Sequence, residues 1–345
     1  MSKVIICIHG LGNKPPKELL TEWWERSIRE GFRNIGQYIF NPKIEMVYWA
    51  DILHDKPLDK KITDNKDPYY LNEKYTSAPK NFIPQKHEVR KKFLDFIEKQ
   101  MDKLFLNKDM SVNYSFISDY IIHRYFKDLE TYYNSEYKNE EEKTHCAREV
   151  IRKRLADVLD KHKDDDIFLI SHSMGTIVAY DVLVLQLTDA KINTFVTMGS
   201  PLGIPVVMGK IAAEYKEIFQ KPHKLSTPPS VINNWYNFSD IEDKVAMNYS
   251  LADDYDANET GIKPIDFIVN NNYTINDELN PHKSYGYLRT PEFSKVLFDF
   301  LIRDRMKITV WILKSINNIY GVTIRKTVKY LRKFYVILTG VEYEP

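Results

Sequence analysis

The sequence predicts an α/β domain: a mostly parallel sheet flanked by helices, with a large helical insertion. Three observations point there. Short apolar runs alternate with amphipathic stretches of helical period. Most of those runs are continuously apolar rather than alternating, as strands covered on both faces require. One of them, Ile167–Ile170, leads into Ser171-His172-Ser173-Met174-Gly175 and then into an apolar helix-forming stretch, which is how a strand, a very tight turn and a helix are written.

In chain order, Val4–Ile8 is the first expected strand, Leu19–Gly31 the helix after it, and Ile44–Trp49 the second strand. A long interval follows before the helix Ala147–Lys161. Its first part, Asp55–Gln85, is polar and rich in Pro, Asn, Asp and Lys. Two amphipathic helices are expected next, roughly Lys86–Leu106 and Ser111–Tyr133, the second with Phe116, Tyr120, Ile121, Tyr125 and Phe126 at helical spacing. Ile167–Ile170, Thr194–Met198 and Val231–Phe238 are further strands, and Ile265–Val269 is a weaker one. Thr176–Leu187 and Pro291–Ile302 are helices. The chain therefore divides into a core at 1–50 and 147–302, a helical cap or lid at 51–146, and a C-terminal extension at 303–345. An insertion of this size on an α/β core commonly covers the ligand cleft. The other reading is a decoration away from the site.

The extension has its own pattern. From Arg305 to Val341 there is no Asp or Glu, and Lys307, Lys314, Arg325, Lys326, Lys329, Arg332 and Lys333 interleave with Trp311, Ile312, Tyr320, Phe334 and Tyr335. Such a segment can lie peripherally on an anionic membrane surface. The reading it fits better is a terminal helix pair, divided at Gly321 and packed on the body with a solvated basic face.

Composition narrows the function classes. With 345 residues, 43% hydrophobic and 28% charged, the chain is long enough and apolar enough for a large buried core. A net charge of +1 gives no global field for nucleic acid, so no nucleic-acid partner is expected. The two cysteines, Cys7 and Cys146, are too few for a disulfide framework and lack metal-site spacing. Catalysis by a nucleophilic serine requires no metal or organic cofactor, and none is expected. The apolar run Val4–Ile8 is too short for a signal-peptide core, and no stretch is apolar enough to span a bilayer. A cytoplasmic location is the expectation, with peripheral membrane attachment through the extension as its variant.

Catalysis by Ser173 requires a base, an acid to orient it and an oxyanion site, and three further segments supply candidates. The residue two before the nucleophile has to be small, because the backbone packs tightly at the turn; here it is Ser171, and Gly175 keeps the second small position. A helix beginning near Met174 would aim its positive end and free N–H groups at the cleft. Without partners, Ser173 would be only a helix N-cap. His9-Gly10-Leu11-Gly12 follows the first strand, and Gly10 and Gly12 let the Leu11 N–H face the cleft and pair with that of Met174 as an oxyanion hole. His9 is expected to brace this loop. No Gly-Lys-Ser/Thr follows, so a phosphate loop is excluded.

The acid comes from the run Ser239-Asp240-Ile241-Glu242-Asp243-Lys244-Val245-Ala246, just after a strand. Asp240 and Asp243 are the candidates. The base comes from Asn280-Pro281-His282-Lys283, where His282 sits in a polar loop able to present a general base. His172 lies beside the nucleophile, but neighbouring side chains at a sharp turn are expected to diverge. The order Ser173, Asp243, His282 is that of the α/β-hydrolase triad.

On these residues the sequence resembles the α/β-hydrolase superfamily, on its lipase/esterase side. The matching pieces are His9-Gly10-Leu11-Gly12, Ser171-His172-Ser173-Met174-Gly175, Met198-Gly199-Ser200-Pro201-Leu202, Asp243-Lys244-Val245-Ala246 and the His282 segment. Gly-Ser-Pro after the strand that follows the elbow recurs in lipase-like members, including those similar to GPI inositol-deacylases. Those relatives carry an Asp-Pro-Val-Ala-like run at the acid, which favours Asp243; Lys244 stands in place of the proline, and Asp240 remains the alternative. The resemblance implies an α/β-hydrolase fold with a trimmed core that lacks the family's first two strands. It implies a serine hydrolase cleaving a carboxylic ester through a Ser-His-Asp triad and an acyl-enzyme; the large insertion and the aromatic, basic extension favour a lipid-like ester over another small-molecule one. An acyltransferase on the same triad and a non-catalytic scaffold used for binding are the alternatives, and a peptidase or thioesterase fits the same triad.

Overall fold

The computed structural model describes residues 2–38, 41–78, 132–134, 136–138, 144–186, 189–220, 225–246 and 248–303, with scattered positions between 315 and 326. In chain order these form β1 (Lys3–Ile8), α1 (Lys17–Asn34), β2 (Glu45–Val47) and the single-turn α2 (Ala50–Leu53). A short antiparallel pair, β3 (Glu136–Lys138) and β4 (Thr144–Cys146), leads into α3 (Ala147–Lys161). Then come β5 (Asp166–His172), α4 (Met174–Leu185), β6 (Ile192–Met198), α5 (Pro205–Phe219), β7 (Val231–Ser239) and β8 (Pro264–Ile268). The two-residue strands β9 (Thr274–Ile275) and β10 (Glu278–Leu279), α6 (Ser284–Tyr287) and α7 (Pro291–Ile302) complete the described elements.

Six strands form one sheet in the order β2-β1-β5-β6-β7-β8, and every neighbouring pair is parallel. The continuous apolar runs are explained by burial on both faces. Ile6, Ile8, Ile167 and Leu169 point to one cluster with Ile151 and Leu155 of α3 and Ile177 and Val178 of α4. Ile5, Cys7, Phe168 and Ile170 point to the other, with Trp24, Ile28 and Phe32 of α1 and Phe293 and Leu297 of α7. Each such side chain contributes about 1.5–3 kcal/mol by leaving water. The result is three layers in the α/β-hydrolase arrangement.

Most expected elements are present. The second strand is shorter than expected, because Tyr48 and Trp49 turn the chain into α2. Helix α5 was not anticipated; Pro205 starts it and Val206, Val207 and Ile211 are its buried residues. The helices expected near Lys86–Leu106 and Ser111–Tyr133 lie outside the described residues, except for Tyr132 and Tyr133. Most of the extension also lies outside them. Where it is described around Gly321 the backbone is helical rather than broken: Ile319 and Gly321–Thr323 are helical, and Thr323 Oγ1 donates to Ile319 O at 2.8 Å. A Cβ at Gly321 would fall 2.5 Å from the Tyr38 ring, so close packing explains the glycine.

Parallel strands give the sheet two unlike ends. The insertion leaves after β2 and returns at the start of α3, both at the carboxyl ends of the strands. Its returning residue Tyr132 is fully buried; its hydroxyl donates to Asp181 of α4 at 3.2 Å and accepts from Arg152 Nε of α3 at 3.1 Å. Arg152 also bonds Glu214 of α5 at 2.6 Å, tying three helices together. The extension begins at the opposite end, where Arg303 bonds Asp166 and Asn193 at the amino ends of β5 and β6.

At that same end His162 joins two elements. Its Nδ1 lies 2.7 Å from Asp165 and its Nε2 2.6 Å from Glu45 of β2. The hydrogen bond to Asp165, aided by Glu45 against partial burial, raises its pKa above the ordinary 6.5. A raised folded-state pKa means the imidazolium's contribution to stability is fully present below the unfolded value and is lost as pH rises through the folded one. His162→Gln is therefore expected to destabilise the protein more at pH 6 than at pH 9 in denaturant unfolding. An effect that grew with pH would contradict this.

Candidate active site

Ser173 sits at the turn between β5 and α4 with φ 53° and ψ −129°. A non-glycine residue rarely adopts that backbone, and holding it there costs about 1–3 kcal/mol. The surroundings that hold it are tight. A Cβ at Gly175 would fall 2.6 Å from His9 O and 2.9 Å from Ile8 O, so the turn passes directly against the end of β1. Ser173 N donates to Met198 O at 3.0 Å. Ser171 fits because it is small and because its buried hydroxyl donates to Val196 O at 2.7 Å.

His282 Nε2 lies 2.9 Å from Ser173 Oγ, and its Nδ1 lies 2.9 Å from both carboxylate oxygens of Asp243. The Ser173 hydroxyl donates to Nε2 while Nδ1–H donates to the acid. Asp243 is buried and lies in a nest of donors: Oδ1 accepts from Val245 N at 2.9 Å and Ala246 N at 3.4 Å, and Oδ2 from the Tyr287 hydroxyl at 2.7 Å. Asp240, the alternative acid, faces elsewhere. Its carboxylate accepts the N–H groups of Glu242 and Asn271, which shapes the loop rather than reaching His282.

The loop after β1 lies against the nucleophile. A Cβ at Gly10 would fall 2.7 Å from Ser173 Cβ and 3.2 Å from its Oγ. His9 is buried, stacked on Trp49 at 4.9 Å, and accepts the Trp49 N–H on Nε2 at 3.0 Å. Its proton is therefore on Nδ1, which donates to Gly10 O at 2.7 Å. Burial, with Lys14 adding to it, pushes the His9 pKa down to about 3, so the ring stays neutral. Lys14 Nζ bonds the carbonyls of Leu11 and Gly12. Gly12 has φ 83°, which its lack of a Cβ permits. In a trans peptide the N–H points opposite to the C=O. With the Gly10 carbonyl held by His9, the Leu11 N–H is aimed to the other side of the loop.

Three contacts were not legible as site features. Gly199 has φ 52°, and a Cβ there would fall 2.7 Å from Asp243 Oδ2 and 3.2 Å from His282 Nδ1. Tyr287, fully buried, donates to Asp243 and accepts from Asp240 N at 3.0 Å. His172 does not diverge from the site: its ring lies 4.9 Å from that of His282, and its Nε2–H donates to the His282 carbonyl at 2.7 Å. Among the other described histidines, His54 is not bonded to any of these residues, and His162 lies at the far end of the sheet. His87, His123 and His223 lie outside the described residues. Tyr287→Phe keeps the ring and removes one bond to the acid. A kcat loss on the order of tenfold with KM unchanged is expected from steady-state kinetics; an unchanged kcat would show that the hydroxyl only packs.

The sheet order and the strand–turn–helix at Ser173 define an α/β-hydrolase-type fold, and the family comparison supports a likeness to lipases and esterases within it. Residues 135–284 match the family model described as PGAP1-like alpha/beta domain, and the chain is similar to GPI inositol-deacylases over that span. The span runs from the end of the insertion to just past His282 and includes the elbow and the acid. No curated protein and no solved structure matches the chain.

Proposed function

We propose that the protein is a serine hydrolase cleaving a carboxylic ester through Ser173, His282 and Asp243. The observation that carries this reading is the continuous hydrogen-bonded line from Ser173 Oγ through His282 to Asp243, each step at 2.9 Å. Ser173 Oγ attacks the acyl carbonyl as its proton passes to His282 Nε2. Asp243 stabilises the imidazolium that forms. The Leu11 and Met174 N–H groups hold the oxyanion, one such donor being worth about 3 kcal/mol. His282 then gives its proton to the leaving alcohol. Water, activated by the same histidine, frees the acid from the acyl-enzyme. The purified chain is expected to release free acid and alcohol from short- and long-chain aryl esters. Acyl transfer to an added alcohol instead of water would make it an acyltransferase. Modification by neither route, in a folded protein, would favour the scaffold reading.

The insertion is proposed as a cap. Both its roots stand at the end of the sheet that carries Ser173. Its described part reaches the site, since the buried Glu73 bonds Lys283, next to His282, at 2.6 Å. A cap of this kind suits a lipid-like ester shielded from water.

The extension is proposed to contact an anionic membrane peripherally, with the protein otherwise cytoplasmic. It begins at the far end of the sheet from Ser173, where Arg303 bonds Asp166 and Asn193. What supports the contact is the run from Arg305 to Val341, which has no Asp or Glu and interleaves basic with aromatic residues. No described helix is long and apolar enough to cross a membrane. Removal of residues beyond Arg305 is expected to abolish flotation with anionic liposomes and to leave hydrolysis of a short soluble ester unchanged. Equal flotation of both forms would remove the extension from the account.

A further inference from the structure

His282 has to hold its ring between Ser173 and Asp243, yet it rises from a loop between β10 and α6. A free polar loop moves on the nanosecond-to-microsecond scale. This one is held from outside at three consecutive carbonyls. Asn271 Nδ2 donates to Pro281 O at 2.7 Å and to Lys283 O at 2.8 Å. His172 Nε2–H donates to the carbonyl between them, that of His282, at 2.7 Å. The His282 N–H is also taken, by Asn280 Oδ1 at 3.2 Å.

The groups that hold the loop are themselves fixed. Asn271 is 2% exposed; its Oδ1 accepts Tyr273 N at 3.1 Å and its own N–H donates to Asp240. A Cβ at Gly286 would fall 1.5 Å from Asn271 Oδ1, so the first turn of α6 closes directly over the amide. An asparagine amide has two N–H donors, and here each serves a different carbonyl. His172 is the last residue of β5 and precedes Ser173. Burial first, and then the nearby His282, hold its pKa well below the ordinary value. It therefore stays neutral, with its proton on the nitrogen that faces the carbonyl.

We infer that Asn271 and His172 are positioning residues: together they clamp the backbone of His282 to the strand that carries Ser173. The inference rests on the triad reading and adds to it two residues that touch no reacting atom. The clamp also gives Asp240 a task. Its carboxylate orients Asn271, and its N–H is bonded to the Tyr287 hydroxyl that holds Asp243. The residue that looked like a second acid links the supports of the base and of the acid.

A structural role and a positioning role predict different kinetics. Misplacing a catalytic group by about 1 Å costs on the order of 100-fold in rate. Asn271→Ala is expected to lower kcat on an aryl ester by about that factor, with KM changed less than about threefold. The same substitution in a His282→Ala background is expected to cost nothing further, because the group it positions is gone. Asn271→Ser, which keeps one donor, serves in both backgrounds if the alanine variant does not fold. His172→Phe is expected to follow the same pattern. A folded Asn271 variant with parental kcat, or an equal loss in both backgrounds, would overturn the clamp while leaving the triad reading intact. Parental activity in His282→Ala alone would overturn the triad reading, and the clamp with it.

Discussion

Ser173→Ala is expected to lower kcat on an aryl ester by about 10⁶, leaving only what binding and the oxyanion loop contribute. The argument is local. The hydroxyl is the group that His282 faces at 2.9 Å, and nothing else at that point of the turn carries a nucleophile. The fold should survive, because the side chain lost is one oxygen and the backbone bonds of the turn do not involve it. Ser173→Gly separates the two roles of the position further. Glycine adopts positive φ without a Cβ penalty, so the strain at φ 53° is relieved. This variant is expected to be as inactive as the alanine form and to melt at a higher temperature than it. Both numbers come from one purification, by ester hydrolysis and thermal unfolding. Activity retained in either variant would remove Ser173 from the mechanism.

Asp243→Asn is expected to cost about 10⁴ in kcat with little change in KM. The acid's oxygens accept from Val245 N, Ala246 N, the Tyr287 hydroxyl and His282 Nδ1. A carboxylate accepts all of these; an amide does not. Either the new NH₂ faces a donor, or it donates to His282 Nδ1. In the second case the imidazole proton moves to Nε2, where the Ser173 hydroxyl needs an acceptor. The variant therefore binds ester and fails at proton transfer. Asp240→Asn is the matched comparison. Because Asp240 bonds two backbone N–H groups and not His282, its loss should be much smaller. A larger loss at Asp240 than at Asp243 would reverse the assignment of the acid.

What was legible in the sequence follows from how each feature is encoded. The strands were readable because both faces of β1, β5 and β6 are buried, which writes an unbroken apolar run. Ser173 was readable because a strained turn needs small residues at fixed spacing on both sides. Helix α5 was missed: Gly203 and Gly209 flank its start, and only Val206, Val207 and Ile211 among its apolar residues are well buried. Two-residue strands such as β9 and β10 have no period to read.

The supports of the site were hidden for a different reason. Tyr287 reaches Asp243 across 44 positions, and His172 reaches His282 across 110. Contacts at that separation are set by how loops return over the carboxyl edge of the sheet. No local pattern specifies them. The expectation that His172 would diverge considered only its own turn, and the His282 loop comes back over it. Gly199 carries a recognisable glycine, but its reason lies in the acid and base beside it.

The central claim is that Ser173 is a nucleophile activated by His282. The most direct measurement is labelling of the folded protein with a fluorophosphonate, followed by mass spectrometry of the labelled peptide. The account predicts one adduct, on Ser173. It should be absent in Ser173→Ala and formed far more slowly in His282→Ala. A folded protein that takes no label, or takes it on another residue, would contradict the account.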